Sequence, residues 1–206
     1  MSLKLPLVDG DIVAYECSFA GQFYDAEKEE MQILPFRLVK EKIEHRVGDI
    51  MTVLETTLEP IMYLTGEGNF RDAIAKKKGY KANRDKSKRP YHLENARQYI
   101  RARYNTYLSK GCEADDLLCI SQTDNNVKFK AGKTNVESVI CTRDKDLRQC
   151  EGWHYGWENG GQPEFPLTWV DKLGTLTATY KEGVSAKTGN PFRRFKDLKG
   201  TGLKWL

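Results

Sequence analysis

Three short apolar runs, LKLPLVD (3–9), PIMYL (60–64) and ESVIC (137–141), are separated by stretches with helical periodicity, and the first and third run straight into acids. Strands that alternate with helices close most economically as a parallel sheet covered by helices, so the expected fold class is α/β with a central, mostly parallel sheet. Ligand sites in such sheets form where the strands end at their carboxyl edge. That rule places Asp9 and the segment Asp144 to Asp146 on one rim. A first helix is expected from Asp11 to about Ala20. A second runs from Leu38 to Leu58, with Val39, Ile43, Val47, Ile50, Leu54 and Leu58 at the three-to-four spacing of a buried stripe. Leu93, Ala96, Ile100, Tyr104 and Leu108 mark a third, and EADDLLCIS opens a fourth after Gly111. FYDAEKEEMQILPF reads as a small hairpin. GWHYGWEN, EFPLTWV and TLTATYKE read as a β meander, followed by a polar loop and a basic tail, FKDLKGTGLKWL. At 206 residues the chain has the size of one domain.

Several chemistries are excluded early. No apolar run approaches the roughly 20 residues that span a bilayer, and the first residues reach acids too soon for a secretory signal, so a cytoplasmic protein without membrane contact is expected. Cys17, Cys112, Cys119, Cys141 and Cys150 form no CxxC pair, which disfavours a disulfide framework or a thiolate zinc site. His45, His92 and His154 lie far apart, outside any ligand spacing. Carboxylates are left to carry the chemistry.

Charge is unevenly spread. From Arg71 to Arg103 there are twelve lysines and arginines against three acids, nine in excess; with +4 overall, the remainder of the chain carries −5. A positive block of this kind suits a polyphosphate partner, since neutralised phosphates release condensed counterions; a solvated lysine-rich loop would have the same composition. The acids fall in three clusters: Asp9 with Asp11, Glu113 with Asp115 and Asp116, and Asp144 with Asp146. Taken singly, acids at a helix start cap free amides, and an Asp after a strand is a turn residue. Gathered at one sheet edge they would repel one another unless cations sat among them. Oxygen-only ligands select hard ions, so Mg²⁺ or Mn²⁺ is expected, and two such ions can drive hydrolysis of a phosphodiester. Trp153, Tyr155, Trp157, Phe165 and Trp169 could stack on unpaired bases, though such alternating aromatics more often fill one face of a sheet.

In LVDGD (7–11), NFR (69–71), GYKANR (79–84), CEADDLL (112–118) and VICTRDKDL (139–147), the chain resembles the flap endonuclease superfamily, especially the 5′-to-3′ exonucleases of T7-like and related phages. The resemblance implies a PIN-like catalytic domain over 1–206 with a basic helical arch at about 71–110. It implies that Asp9, Glu113, Asp115 and Asp116 build a first metal site, that Asp144 and Asp146 serve a second, and that Asp9 and Asp116 take part in catalysis. It further implies that Lys81 and Arg84, at the base of the arch, contact the scissile phosphate. Arg71, Lys86, Lys88 and Arg89 are expected as general phosphate contacts. The implied activity is two-metal hydrolysis of DNA at 5′ ends or flaps, in phage replication or repair, with RNA primers in RNA/DNA hybrids as a second substrate class.

Two departures qualify the pattern. Where the family carries an Asp shortly before the NFR-like segment, this chain has Gly66, with Glu67 beside it as a substitute acting through water. The family's downstream GDxxDN element, which opens a helical DNA-binding module and completes the second metal site, does not occur before the sequence ends at GTGLKWL. The second ion is therefore expected to bind weakly. A catalytically incomplete nucleic-acid-binding protein and a PIN-type ribonuclease are the alternative readings.

Overall fold

In the computed structural model, which describes residues 2–70, 89–171, 175–185 and 188–201, the alternation of strand and helix becomes an α/β fold around one six-stranded sheet. Its strands are β1 (Leu3–Asp9), β4 (Ile61–Leu64), β5 (Asn105–Leu108), β6 (Val136–Cys141), β7 (Gly152–Gly156) and β8 (Phe165–Val170). Their order is β5-β4-β1-β6-β7-β8, all parallel except the antiparallel edge β8. The expected hairpin is present as β2 (Gln22–Asp25) and β3 (Glu30–Ile33).

Helices α1 (Gly10–Ser18), α2 (Phe36–Val53), α3 (Leu93–Arg103) and α4 (Ala114–Lys130) cover the sheet. Successive strand residues point to opposite faces, so each central strand feeds two cores. Val8, Met62, Leu64, Val139 and Cys141 face α1, α2 and α3, where they meet Val13, Ala14, Ile43, Val47, Ala96 and Ile100. Leu7, Tyr63 and Ile140 face the other way, against Ala114 and Leu118 of α4 and against Leu147. Coverage on both faces explains why these strands read as unbroken apolar runs. The buried polar side chains on α4 are satisfied: Gln122 accepts from the Ser138 hydroxyl at 2.6 Å and donates to the Trp153 carbonyl at 2.9 Å.

The boundaries differ from expectation where two patterns coincide. α2 stops at Val53 because Glu55, at φ 48°, turns the chain, so Leu58 lies beyond the helix. α3 stops at Arg103, and Tyr104 is already extended. The residues up to Leu108 form β5 instead, pairing with β4 from Ile61↔Asn105 to Leu64↔Leu108. An unpaired edge of β4 outweighed a continued helical stripe. Of the segment expected as an arch, 71–88 lie outside the described residues, while α3 and β5 belong to the body of the fold.

The expected meander is divided. Its first two runs join the main sheet as β7 and β8, whereas β9 (Thr175–Val184) and β10 (Pro191–Thr201) form a separate antiparallel ribbon. The basic tail is strand as far as Thr201, where the described residues end. Tyr155 and Trp157 are buried in the core and Trp153 packs against it, meeting Trp169 edge to face at 5.6 Å, so core packing accounts for these three; Phe165 is only partly buried and lies under the Arg148 guanidinium. All five cysteines are free; Cys17 and Cys141 are buried, the other three partly so. No described helix is long and apolar enough to cross a membrane.

Candidate metal centre at the sheet rim

β1 ends at Asp9, which is only 2% exposed and caps α1 by accepting the Ile12 amide on Oδ1 at 3.1 Å. The next residue has to be glycine. A Cβ on Gly10 would meet the Tyr63 carbonyl oxygen at 2.8 Å, so its absence lets α1 start flush against β4. Asp9 Oδ2 accepts the Thr142 hydroxyl at 2.9 Å, and that same hydroxyl oxygen accepts the Asp144 amide at 3.0 Å. Thr142 therefore ties the acid that closes β1 to the loop that follows β6. Neither composition nor motif singled it out; the sheet order, with β6 beside β1, is the information that was missing.

Burial pushes the Asp9 carboxyl up to about 7, with further upward pressure from the charges of Asp115 and then Asp144, against the two hydrogen bonds that favour ionisation. Acids from three distant segments are thus electrostatically in touch. Glu113, itself buried, stands at the N-cap of α4, where its amide donates to Asp116 at 3.0 Å in a reciprocal capping box. Asp115 and Asp116 occupy the first turn, so helix capping and rim membership hold at once for this cluster. Asp144 caps a short 3₁₀ turn by accepting the Asp146 amide at 2.9 Å, and Asp146 itself is exposed.

Asp11 is turned away from this function. It pairs with Arg97 of α3 and accepts the Thr65 amide at 2.9 Å, while the Thr65 hydroxyl accepts the Ala114 amide at 3.1 Å. The network locks α1, α3, the end of β4 and the start of α4 together, and Arg97 belongs to it although it lies in the basic block. On the far side, Arg143 and the Trp157 indole both bind Glu16. Gly66 cannot be replaced by an acid in this backbone, because an added Cβ would collide with the Ser109 carbonyl oxygen. Glu67 is exposed in the loop after β4. Arg71, Lys81, Arg84, Lys86 and Lys88 lie outside the described residues, and Arg89 is exposed at the point where the described chain resumes.

The donor set suits a hard divalent cation in kind: carboxylate oxygens only, one of them on a buried group that resists ionising alone. It is not drawn together as a finished cage. Among the described residues, no three His, Cys, Asp or Glu side chains converge closely enough to hold one ion.

No protein-family model matches the chain, and no curated protein matches it. Its fold is that of solved bacteriophage T5 nucleases. One is a T5 protein crystallised with metal ions, at a TM-score of 0.50, and another is a T5 flap endonuclease variant in complex with DNA and metal ions, at 0.52. A third, T5 5′-exonuclease with bound zinc, matches at 0.50. Each is 16% identical over 79% of this chain. The match spans 57%, 57% and 58% of those longer chains respectively.

Proposed function

We propose that the chain is the catalytic part of a divalent-metal-dependent 5′ nuclease that hydrolyses DNA phosphodiester bonds at 5′ ends or flaps. Asp9 carries the reading: a carboxylate buried at the strand ends of an α/β sheet, under repulsion from Asp115 and Asp144, is stable as an anion only with a cation beside it. The shared fold with phage nucleases, some solved with metal ions or DNA, supports it. In this reading Asp9, Glu113, Asp115 and Asp116 hold one Mg²⁺ or Mn²⁺, and Asp144 and Asp146 help to hold a second, more weakly. When bound, the ions would activate water for attack and offset charge on the phosphoryl oxygens.

The chain's own residues supply position and charge. Thr142 fixes the Asp9 carboxylate and the Asp144 backbone with one hydroxyl, and the Glu113–Asp116 cap keeps the second acidic cluster at its helix start. Lys81 and Arg84 neutralise the scissile phosphate, while Arg71, Lys86, Lys88 and Arg89 grip flanking phosphates. The product carries a 5′ phosphate, RNA primers in hybrids are a second substrate class, and phage DNA replication or repair is the setting.

The open spacing of the carboxylates favours one competing reading, a nucleic-acid-binding protein without turnover. Labelled 5′-flap DNA incubated with Mg²⁺ or Mn²⁺ separates the two. Cleavage that disappears in Asp144→Asn and Asp146→Asn supports the nuclease; binding without cleavage in either metal supports the binder. Preference for RNA over DNA in competition would indicate a PIN-type ribonuclease.

A further inference from the structure

Beside Asp144, on the side of the sheet that ends in β8, a cleft of about 440 Å³ opens between the loop after β6 and the loop before β8. Arg143, Asp144, Lys145 and Arg148 wall it on one side, and Gln162 and Phe165 on the other. Arg143 is committed: it pairs with Glu16 and donates to the Asn159 carbonyl and to Gln162 Oε1, both at 3.0 Å. Arg148 is not. Its guanidinium lies over the Phe165 ring at 3.8 Å, and among the described residues it makes no hydrogen bond or ion pair. An arginine held by stacking, with its fork of N–H donors still open, is equipped to receive a phosphate.

We propose that this cleft seats one internal phosphodiester of an unpaired nucleic-acid strand running from the acidic rim, with Arg148 and Lys145 as its donors. The proposal rests on the nuclease reading for its direction but uses residues outside the metal set, apart from the neighbouring Asp144. The volume is that of a small-molecule pocket, enough for about one nucleotide and too narrow for a duplex. With the Arg143 charge spent on Glu16, the cleft is also close to electrically neutral, since Asp144 and Glu164 on its walls offset Arg148 and Lys145. Recognition therefore depends on placed donors more than on bulk field, and a phosphodiester within a strand supplies the acceptor oxygens they need. The guanidinium face turned away from Phe165 offers a base a stacking surface.

The test is anisotropy of a labelled single-stranded DNA oligonucleotide with the full chain in EDTA, where cleavage plays no part. Arg148→Ala should weaken binding about tenfold, the scale of one lost charge-assisted hydrogen bond. It should also flatten the dependence of log affinity on log salt by about 0.7. Lys145→Ala, at an exposed position, should weaken binding without disturbing the fold, and Arg148→Lys should recover part of the loss. Lys130→Ala, at the far end of α4 where the lysine pairs with Glu151, should bind like wild type. Oligonucleotides with 5′ hydroxyl and 5′ phosphate should bind equally. No binding by wild type overturns the proposal, as do unchanged affinities in Arg148→Ala and Lys145→Ala at wild-type melting temperature. An equal loss in Lys130→Ala, or a tenfold preference for a 5′ phosphate, overturns it as well. Failure of the nuclease reading has a separate signature: no cleavage in any metal, with the Arg148 dependence of binding intact.

Discussion

Asp9 spends its burial on a charge that the protein alone does not welcome. Its carboxyl titrates at about 7 in the folded chain against an ordinary 3.8, so the folded state holds the proton more tightly than the unfolded one. That contribution to stability is whole below about pH 4 and is lost as the pH rises through 7. Asn at this position keeps an acceptor for the Ile12 amide and a partner for the Thr142 hydroxyl without the charge. In EDTA at pH 8, Asp9→Asn should therefore be more stable than wild type by up to about 4 kcal/mol. At pH 4 the two should melt together. Chemical denaturation at both pH values checks this, and a variant no more stable than wild type at pH 8 would remove the premise of a cation-demanding rim. The same substitution should abolish cleavage.

At the scale of elements, β4 and β5 end so close together that Gly66 faces the Ser109 carbonyl with no room for a side chain. Gly66→Asp, which restores the acid that the resembled family carries nearby, should cost about 1–3 kcal/mol and add nothing to metal affinity. A stable variant with tighter Mn²⁺ binding in a calorimetric titration would show that the backbone yields. Much of this level was legible in the chain beforehand. The runs ending at Asp9 and Cys141 became neighbouring parallel strands, and the acids after them share an edge, because apolar length and strand–helix alternation are local signals. The end of α3 was not legible: Tyr104 and Leu108 keep helical spacing, and only the vacant edge of β4, a non-local fact, recruits them into β5. For the same reason Thr142 and Arg97 carried no signal. Their roles depend on partners 133 and 86 residues away.

For the molecule as a whole, the two-stranded ribbon of β9 and β10 shares no ladder with the six-stranded sheet, whose last strand closes at Val170. An isolated ribbon of this kind adds little to the cooperativity of a body it does not pair with. A chain ended after Val170 should therefore melt within a few degrees of the full one and keep the Asp9-dependent response to Mn²⁺ in a thermal-shift measurement. A collapse of the melting transition would mean that the ribbon is part of the body.

β1 lies near the middle of the sheet, yet its neighbour β6, registered from Leu3↔Val136 to Val8↔Cys141, comes from the opposite half of the chain. Closing that distance is slow and entropically costly, and it cannot begin before the later strand exists. A chain emerging from a ribosome thus carries Asp9 for most of its synthesis as an ordinary solvated acid. Whatever chemistry the rim performs is withheld from the half-made protein and switched on only once both halves have met.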